Sequence, residues 1–303
     1  MIKVQDIAYV RFGAPDLEAM ERFLADFGLA VTARDEDRLF MRGTDPEPYV
    51  HVTERGGPGF RGVAFELASE EDLHTAAALE GASPVEKLDA PGGGQCVRFT
   101  DPDGNAVELA YGRERLAPLP VHGASPLNRG SDRQRRGVLQ RVPQGPPAVK
   151  RLGHAVVRVS DYAKSTAWYR ERCGFVSSDD VYLGDAANVV ASFLRCDRGA
   201  EYTDHHTFLC VGLGEPGFDH AAFEVEDFDA VMTGHDLLGK AGYRHKMGVG
   251  RHVLGSQVYD YWNDPWGHTL EHFTDGDLLN RDHETGRWDP GVALGAQWGT
   301  MLP

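Results

Sequence analysis

Long apolar runs are missing from this 303-residue chain. No stretch approaches the ~20 residues that a membrane-spanning helix needs. The first residues, "MIKVQDIAYV", lack the charged-then-apolar pattern of a secretory leader. Cysteine is scarce: Cys96, Cys173, Cys196 and Cys210 lie scattered without a C-x-x-C pair, which predicts reduced thiols in a cytoplasmic protein. Positive charge is also short. A formal net charge of -15 gives a nucleic-acid partner little electrostatic support, and the one basic run, "DRQRRG", reads as part of a solvated linker. What remains is an ordinary soluble composition, 41% apolar and 25% charged, in a chain long enough for two domains with a core each.

Residues 114–149 are rich in Pro, Gly and Arg and show no sustained periodicity, as expected of a connector. The segments on either side resemble each other. Read without gaps, "DIAYVRFGAPDLEAMERFLADFGL" places Ala8 opposite His154 and Gly28 opposite Gly174 of the second half. "FRGVAFELASEEDLHTAAALEG" likewise sets Gly62 opposite His220 in "FDHAAFEVEDFDAVMTGHDLLG". An Asp-Pro-x-Gly turn followed by a glutamate occurs twice, ending on Glu108 and Glu271. Each unit opens on an apolar strand and passes into a helix; Leu17, Met20, Leu24 and Phe27 recur at helical spacing, with Gly28 just past the end. Short β-rich runs such as "QCVRFTD" and "SQVYDYWND" follow. The prediction is an α+β chain of four strand–helix–strand–strand–strand units paired into two domains. The expected divisions are 1–113, a linker 114–149, 150–276, and a tail 277–303.

The histidines break the symmetry. Of 13, three (His51, His74, His122) precede Lys150 and ten follow it. Where the second half carries His154 and His220, the first carries no imidazole, and only the glutamate survives in both. Side chains alternate faces along a strand, so His154 shares a face with Val156, His220 with Ala222, and Glu271 with Phe273. Each can line an interior cavity. Two imidazoles and one carboxylate on neighbouring strands form a facial triad that leaves positions open; it favours non-haem Fe(II), with Mn(II) a further occupant. Zinc would accept the same three ligands in a tetrahedral site. Glu108 alone cannot hold a divalent ion and reads as a remnant or a structural acid.

The segments "RLGHAVVRVSD", "DHHTFLC", "GFDHAAFEVED" and "GRHVLGSQVYDYWNDPWGHTLEHFTDGD" together resemble the type I extradiol ring-cleaving dioxygenases of the vicinal oxygen chelate superfamily. The resemblance covers nearly the whole chain. It implies two glyoxalase/bleomycin resistance-like domains, each of two βαβββ modules, the first without metal ligands. It makes His154, His220 and Glu271 the metal ligands. It puts His206, His252 and Tyr261 at acid–base and substrate-binding positions, and implies opening of a catechol ring with both atoms of O2 incorporated. His205 and His206 are adjacent, so only one of them can face the metal; the family pattern selects His206. Related proteins also suggest a homo-oligomer. Two other readings use the same fold: a metal-dependent glyoxalase-like isomerase, and a protein that binds small molecules without reacting. His235 and His245 read as solvated, His268 as a turn residue, and His272 as a packing residue facing away from Glu271. Trp288 and Trp298 belong to a tail that reads as ordinarily docked, with anchoring over the cavity or on a neighbouring subunit as the alternatives.

Overall fold

The computed structural model describes residues 2–123 and 126–300; residues 124–125 of the expected linker and 301–303 of the expected tail lie outside the described residues. The first half is built as β1 (Val4–Ala14), α1 (Leu17–Phe27), β2 (Ala30–Arg34), β3 (Arg38–Arg42) and β4 (His51–Arg55). It continues as β5 (Gly59–Leu67), α2 (Glu70–Ala77), β6 (Glu86–Lys87), β7 (Gln95–Thr100) and β8 (Ala106–Tyr111). The second half repeats the pattern with β9 (Val149–Arg158), α3 (Tyr162–Cys173), β10 (Val176–Tyr182), β11 (Val189–Arg195), a two-residue β12 (Thr203–Asp204) and β13 (Phe208–Val211). Its second module is β14 (Gly217–Val225), α4 (Phe228–Lys240), β15 (Arg244–His252), β16 (Val258–Asn263) and β17 (Thr269–Thr274). The tail adds β18 (Leu278–Leu279), β19 (Gly286–Trp288), α5 (Pro290–Ala293) and β20 (Ala296–Gly299).

The first sheet runs β2-β3-β4-β1-β5-β8-β7-β6, and the core of the second has the same order, β10-β11-β13-β9-β14-β17-β16-β15. In both, the opening strands of the two modules pair antiparallel at the centre. The tail does not simply dock. It supplies an edge strand at each end of the second sheet, β19 beside β10 and β20 beside β15, with α5 crossing between them.

Local chemistry sets these elements. Asp16 caps α1 by accepting from the backbone N–H of Glu18 and Ala19, and Gly28 closes it at φ +108°, a conformation that favours glycine. A Cβ at Gly28 would lie 1.9 Å from the Pro147 carbonyl oxygen, so the helix end can seat against the strand entering the second half. Leu17, Met20, Phe23, Leu24 and Phe27 form the buried stripe of α1, and each contributes about 1.5–3 kcal/mol by leaving water. Both Asp-Pro-x-Gly turns close as expected, Gly104 N–H to Asp101 O at 3.1 Å and Gly267 N–H to Asp264 O at 3.0 Å.

Separate cores are not what forms. One apolar cluster runs through both halves, because helices and strands of each pack on the other. Tyr169 of α3 donates to Asp101 of the first turn at 2.8 Å. His272 of β17 bonds the Phe27 carbonyl at 2.7 Å and stacks on the Phe27 ring. His272 therefore packs away from Glu271 as expected, against the end of α1. All four cysteines are buried and free. Among the described residues, no helix is long and apolar enough to cross a membrane.

Burial holds the His51 imidazole, stacked on Phe12, down at about 3 from its ordinary 6.5. Between those values the unfolded chain takes up a proton that the folded chain refuses. The stability tied to His51 is therefore complete above pH 6.5 and drains as the pH falls toward 3. We expect Tm to drop by several degrees between pH 6.5 and 4, and to drop less in His51→Phe, as thermal unfolding across that range can check.

Candidate active site

The concave face of each sheet meets a different fate. In the first half it is filled: Tyr9, Phe40, Tyr49 and Val52 form a buried aromatic plug, with the Arg113 guanidinium over both tyrosine rings. In the second it stays open as a cavity of about 430 Å³, a volume suited to a small-molecule ligand. Val156, Phe193, Leu209 and Leu254 give it apolar walls; His154, His206, His220, His252 and Tyr261 are among its polar lining, with Arg158 and Lys246 also on the wall.

His154 on β9, His220 on β14 and Glu271 on β17 converge there. Each offers one ligand atom, and the three atoms lie within 4.8 Å of one another. The Nε2 atoms of His154 and His220 each stand 3.4 Å from Glu271 Oε2. Register explains the convergence, because Ala222 of β14 pairs with His154 on one side and with Glu271 on the other. Tyr261 lies directly across the hairpin from Glu271.

The two glutamates of the repeat differ in their partners. Glu108 is bonded on every side: Tyr9 donates to Oε2, and Arg11 and Arg98 donate to Oε1 at 2.7 and 2.8 Å. Glu271 is fully buried, yet neither of its oxygens has a hydrogen-bond partner. A buried carboxylate in that condition is costly unless a cation answers it. Burial acts to raise its pKa, but the His154 and His252 imidazoles outweigh burial and keep it ionised. Burial keeps His154 neutral more strongly than Glu271 opposes it. An ionised carboxylate and two imidazoles, that of His154 held neutral by burial, are the donor types a divalent metal ion takes, so the residues fit a metal.

Strand pairing also corrects the alignment of the halves. Ala64 pairs with Tyr9, and its counterpart Ala222 pairs with His154, so Tyr9 rather than Ala8 holds the place of His154. Helix α3 is one residue longer than α1, which absorbs the difference. Arg11, paired with Gly62, stands where Val156 pairs with His220, and Arg98 faces Glu108 where Tyr261 faces Glu271. Two guanidiniums and a phenol thus occupy the ground that His154, Val156 and Tyr261 hold in the second half.

Other predicted residues fall around the triad. The His206 ring packs 4.1 Å from that of His154 and lines the cavity, while His205 turns away. Neither lies on a strand; both sit in the loop between β12 and β13. The two Nδ1 atoms are 3.1 Å apart, His205 Nε2 reaches Asp179 Oδ2 at 2.7 Å, and Trp288 of the tail donates to Asp179 Oδ1 at 2.6 Å. Burial, reinforced by the neighbouring imidazoles, holds His206 neutral. His252 is the last residue of β15, and its Nε2 is 3.0 Å from the Tyr261 hydroxyl. Burial, then the charge of Glu271, raises the Tyr261 pKa and keeps that hydroxyl protonated. Tyr259 does not line the cavity; its ring stacks behind His252. Trp298 of the tail packs near Phe228 and Arg251, and the tail brings Leu294 to the cavity mouth.

Sequence reasoning missed Asp219, whose Oδ1 sits 2.8 Å from His220 Nδ1. Burial opposes its ionisation, but the His220 contact prevails and brings its pKa down to about 2. The only available signal was an acid preceding a histidine expected to be a ligand. By fixing which ring nitrogen faces the cavity, Asp219 should tighten metal binding. We expect Asp219→Asn to weaken affinity about 10–100-fold, read by competition with a chelator.

Residues 151–272 match the model of the Glyoxalase/Bleomycin resistance protein/Dioxygenase superfamily. Over 99% of its length the chain is 30% identical to metapyrocatechase 2 of Cupriavidus necator, covering 90% of that protein. The chain belongs to the extradiol ring-cleaving dioxygenases. It is 25% identical to a 3-methylcatechol 2,3-dioxygenase of Pseudomonas putida, with 95% of this chain and 96% of that protein covered. Its fold superposes on a Mn(II)-bound glyoxalase from Novosphingobium aromaticivorans with a TM-score of 0.80 at 25% identity, covering 100% of this chain and 94% of that one. The fold is the paired βαβββ architecture of this superfamily, and the enzyme is a metal-dependent dioxygenase of the extradiol class.

Proposed function

We propose that this extradiol dioxygenase binds a catechol in the second-half cavity and opens its ring beside the diol, adding both atoms of O2. Residues 150–276 act as the catalytic domain and residues 1–113 as a metal-free scaffold, with 114–149 linking them and 277–303 as a tail whose β19 and β20 strap the second sheet. His154, His220 and Glu271 would hold Fe(II), or Mn(II) in its place. The unanswered oxygens of Glu271, set against the fully bonded Glu108, carry this reading. Such an ion would supply Lewis acidity and a redox-active centre for a vicinal diol and O2.

The chain's own groups do the rest. His206, neutral and held at Nδ1 by His205, has Nε2 left to receive a substrate proton and return it later. Asp179 and Trp288 fix His205, and through it the orientation of the His206 ring. Tyr261 and His252, bonded to each other, are placed to hydrogen-bond the substrate oxygens and set the ring's rotation. Val156 and Phe193 give the aromatic face an apolar wall. Homo-oligomer formation and a cytoplasmic location accord with this reading.

The test is oxygen uptake. Anaerobically iron-loaded enzyme given a panel of monocyclic and bicyclic catechols should consume one O2 per ring and form an open-chain product. Binding of catechols without oxygen uptake across the panel would refute the proposal. A second reading, a glyoxalase-type isomerase, draws on the match to the Mn(II)-bound glyoxalase. It requires turnover of its substrate in the complete absence of O2, which an anaerobic assay of substrate loss and product formation decides.

A further inference from the structure

The same hairpin that presents Glu271 to the cavity carries a second constellation on its opposite face. Tyr261 faces inward, so strand alternation turns Asp260 of β16 outward, toward α4. Asp260 is fully buried. Among the described residues no Lys or Arg pairs with it; its ion-pair neighbours are imidazoles only. His245 of β15 places Nε2 at 2.8 Å from Oδ1, and His235 of α4 places Nδ1 at 3.1 and 3.2 Å from the two carboxylate oxygens. Trp262 donates its indole N–H to Oδ2 at 2.6 Å. The backbone of Gly248 closes another side, since a Cβ there would lie 2.7 Å from Oδ1.

We propose that His235, His245 and Asp260 form a second divalent-cation site, separate from the catalytic one and suited to zinc. The three ligand atoms lie within 4.8 Å of one another, drawn from a helix and two strands. Donors held ~2.0–2.1 Å from a tetrahedral ion stand about 3.3 Å apart, so small side-chain adjustments suffice. Two imidazoles and one carboxylate are a zinc donor set with a fourth position for water. Trp262 fixes Oδ2 and leaves Oδ1 to the ion, as outer partners of metal ligands do. Both imidazoles are about one-third exposed, which gives an ion a route in from solvent. Bound there, zinc answers the buried charge of Asp260 and staples α4 to the β15–β16 hairpin that carries His252 and Tyr261.

Chelator-stripped full-length enzyme, dialysed against buffered micromolar zinc and counted by atomic emission, tests this. The His245→Ala and His235→Ala variants should each bind one zinc fewer per chain than wild type. His220→Ala, which damages only the catalytic triad, should keep the zinc that those variants lose. Zinc should also raise Tm in His220→Ala by several degrees, and that rise should vanish in His220→Ala/His245→Ala. Equal zinc counts in wild type and His245→Ala would overturn the proposal; His245 is the more exposed residue of the two, so that variant remains informative even if His235→Ala folds poorly. The count does not depend on catechol turnover, so failure of the ring-cleavage reading would leave it intact.

Discussion

Glu271→Gln is expected to lose both metal and ring-cleaving activity while leaving the metal-stripped protein no less stable than stripped wild type. The two expectations share one cause. In the folded chain Glu271 is ionised, fully buried and without a hydrogen bond to either oxygen. A bound metal would answer that charge; without one, it is a buried charge beside a His154 imidazole that burial keeps neutral. The amide has nearly the same shape and no charge, so it removes the desolvation cost along with the ligand. Turnover should fall by on the order of 10³-fold or more, because the proposed metal would supply both substrate binding and oxygen activation. Metal analysis, oxygen uptake and Tm before and after chelation measure the three effects. The same change at Glu108 should behave in the opposite way. Glu108→Gln leaves Arg11 and Arg98 without their shared buried anion, and should lower Tm with or without metal.

His206→Asn should cost about 10²–10⁴-fold in kcat, the usual range for a removed general acid–base, with metal content unchanged. The role assigned to His206 concerns a proton, and His154, His220 and Glu271 remain to hold the ion. Because the His206 ring packs 4.1 Å from that of His154, metal content is the decisive control. If the variant emerges without metal, His206 supports the ligand geometry and does not act on the substrate. Asp179→Asn should share the effect in weaker form, since Asp179 reaches His206 only through His205.

Much of this architecture can be read from the chain because it is written four times. A helix stripe such as Leu17, Met20, Leu24 and Phe27, and a turn such as Asp101 to Gly104, depend on neighbours in sequence. The convergence of His154, His220 and Glu271 could be anticipated for a related reason: each sits on a strand whose face follows from alternation. What escaped depends on chain segments meeting in space. The place of Tyr9 opposite His154 hinges on one extra residue in α3, which a gapless reading cannot see. Asp179 finds His205 across a sheet, and Trp288 finds Asp179 from the tail. His235 and His245 read as solvated because Asp260, the acid that gathers them, follows His245 only after a full turn of the hairpin. The shared core had no local sign either, since the exchange of contacts between α1 and β17 appears only on folding.

The most direct measurement is anomalous diffraction at the iron edge from a crystal of the anaerobically iron-loaded enzyme. A single ion coordinated by His154 Nε2, His220 Nε2 and Glu271, at about 2.0–2.2 Å from each, is the result expected here. Full iron loading in the crystal with no anomalous density between those three side chains would contradict it.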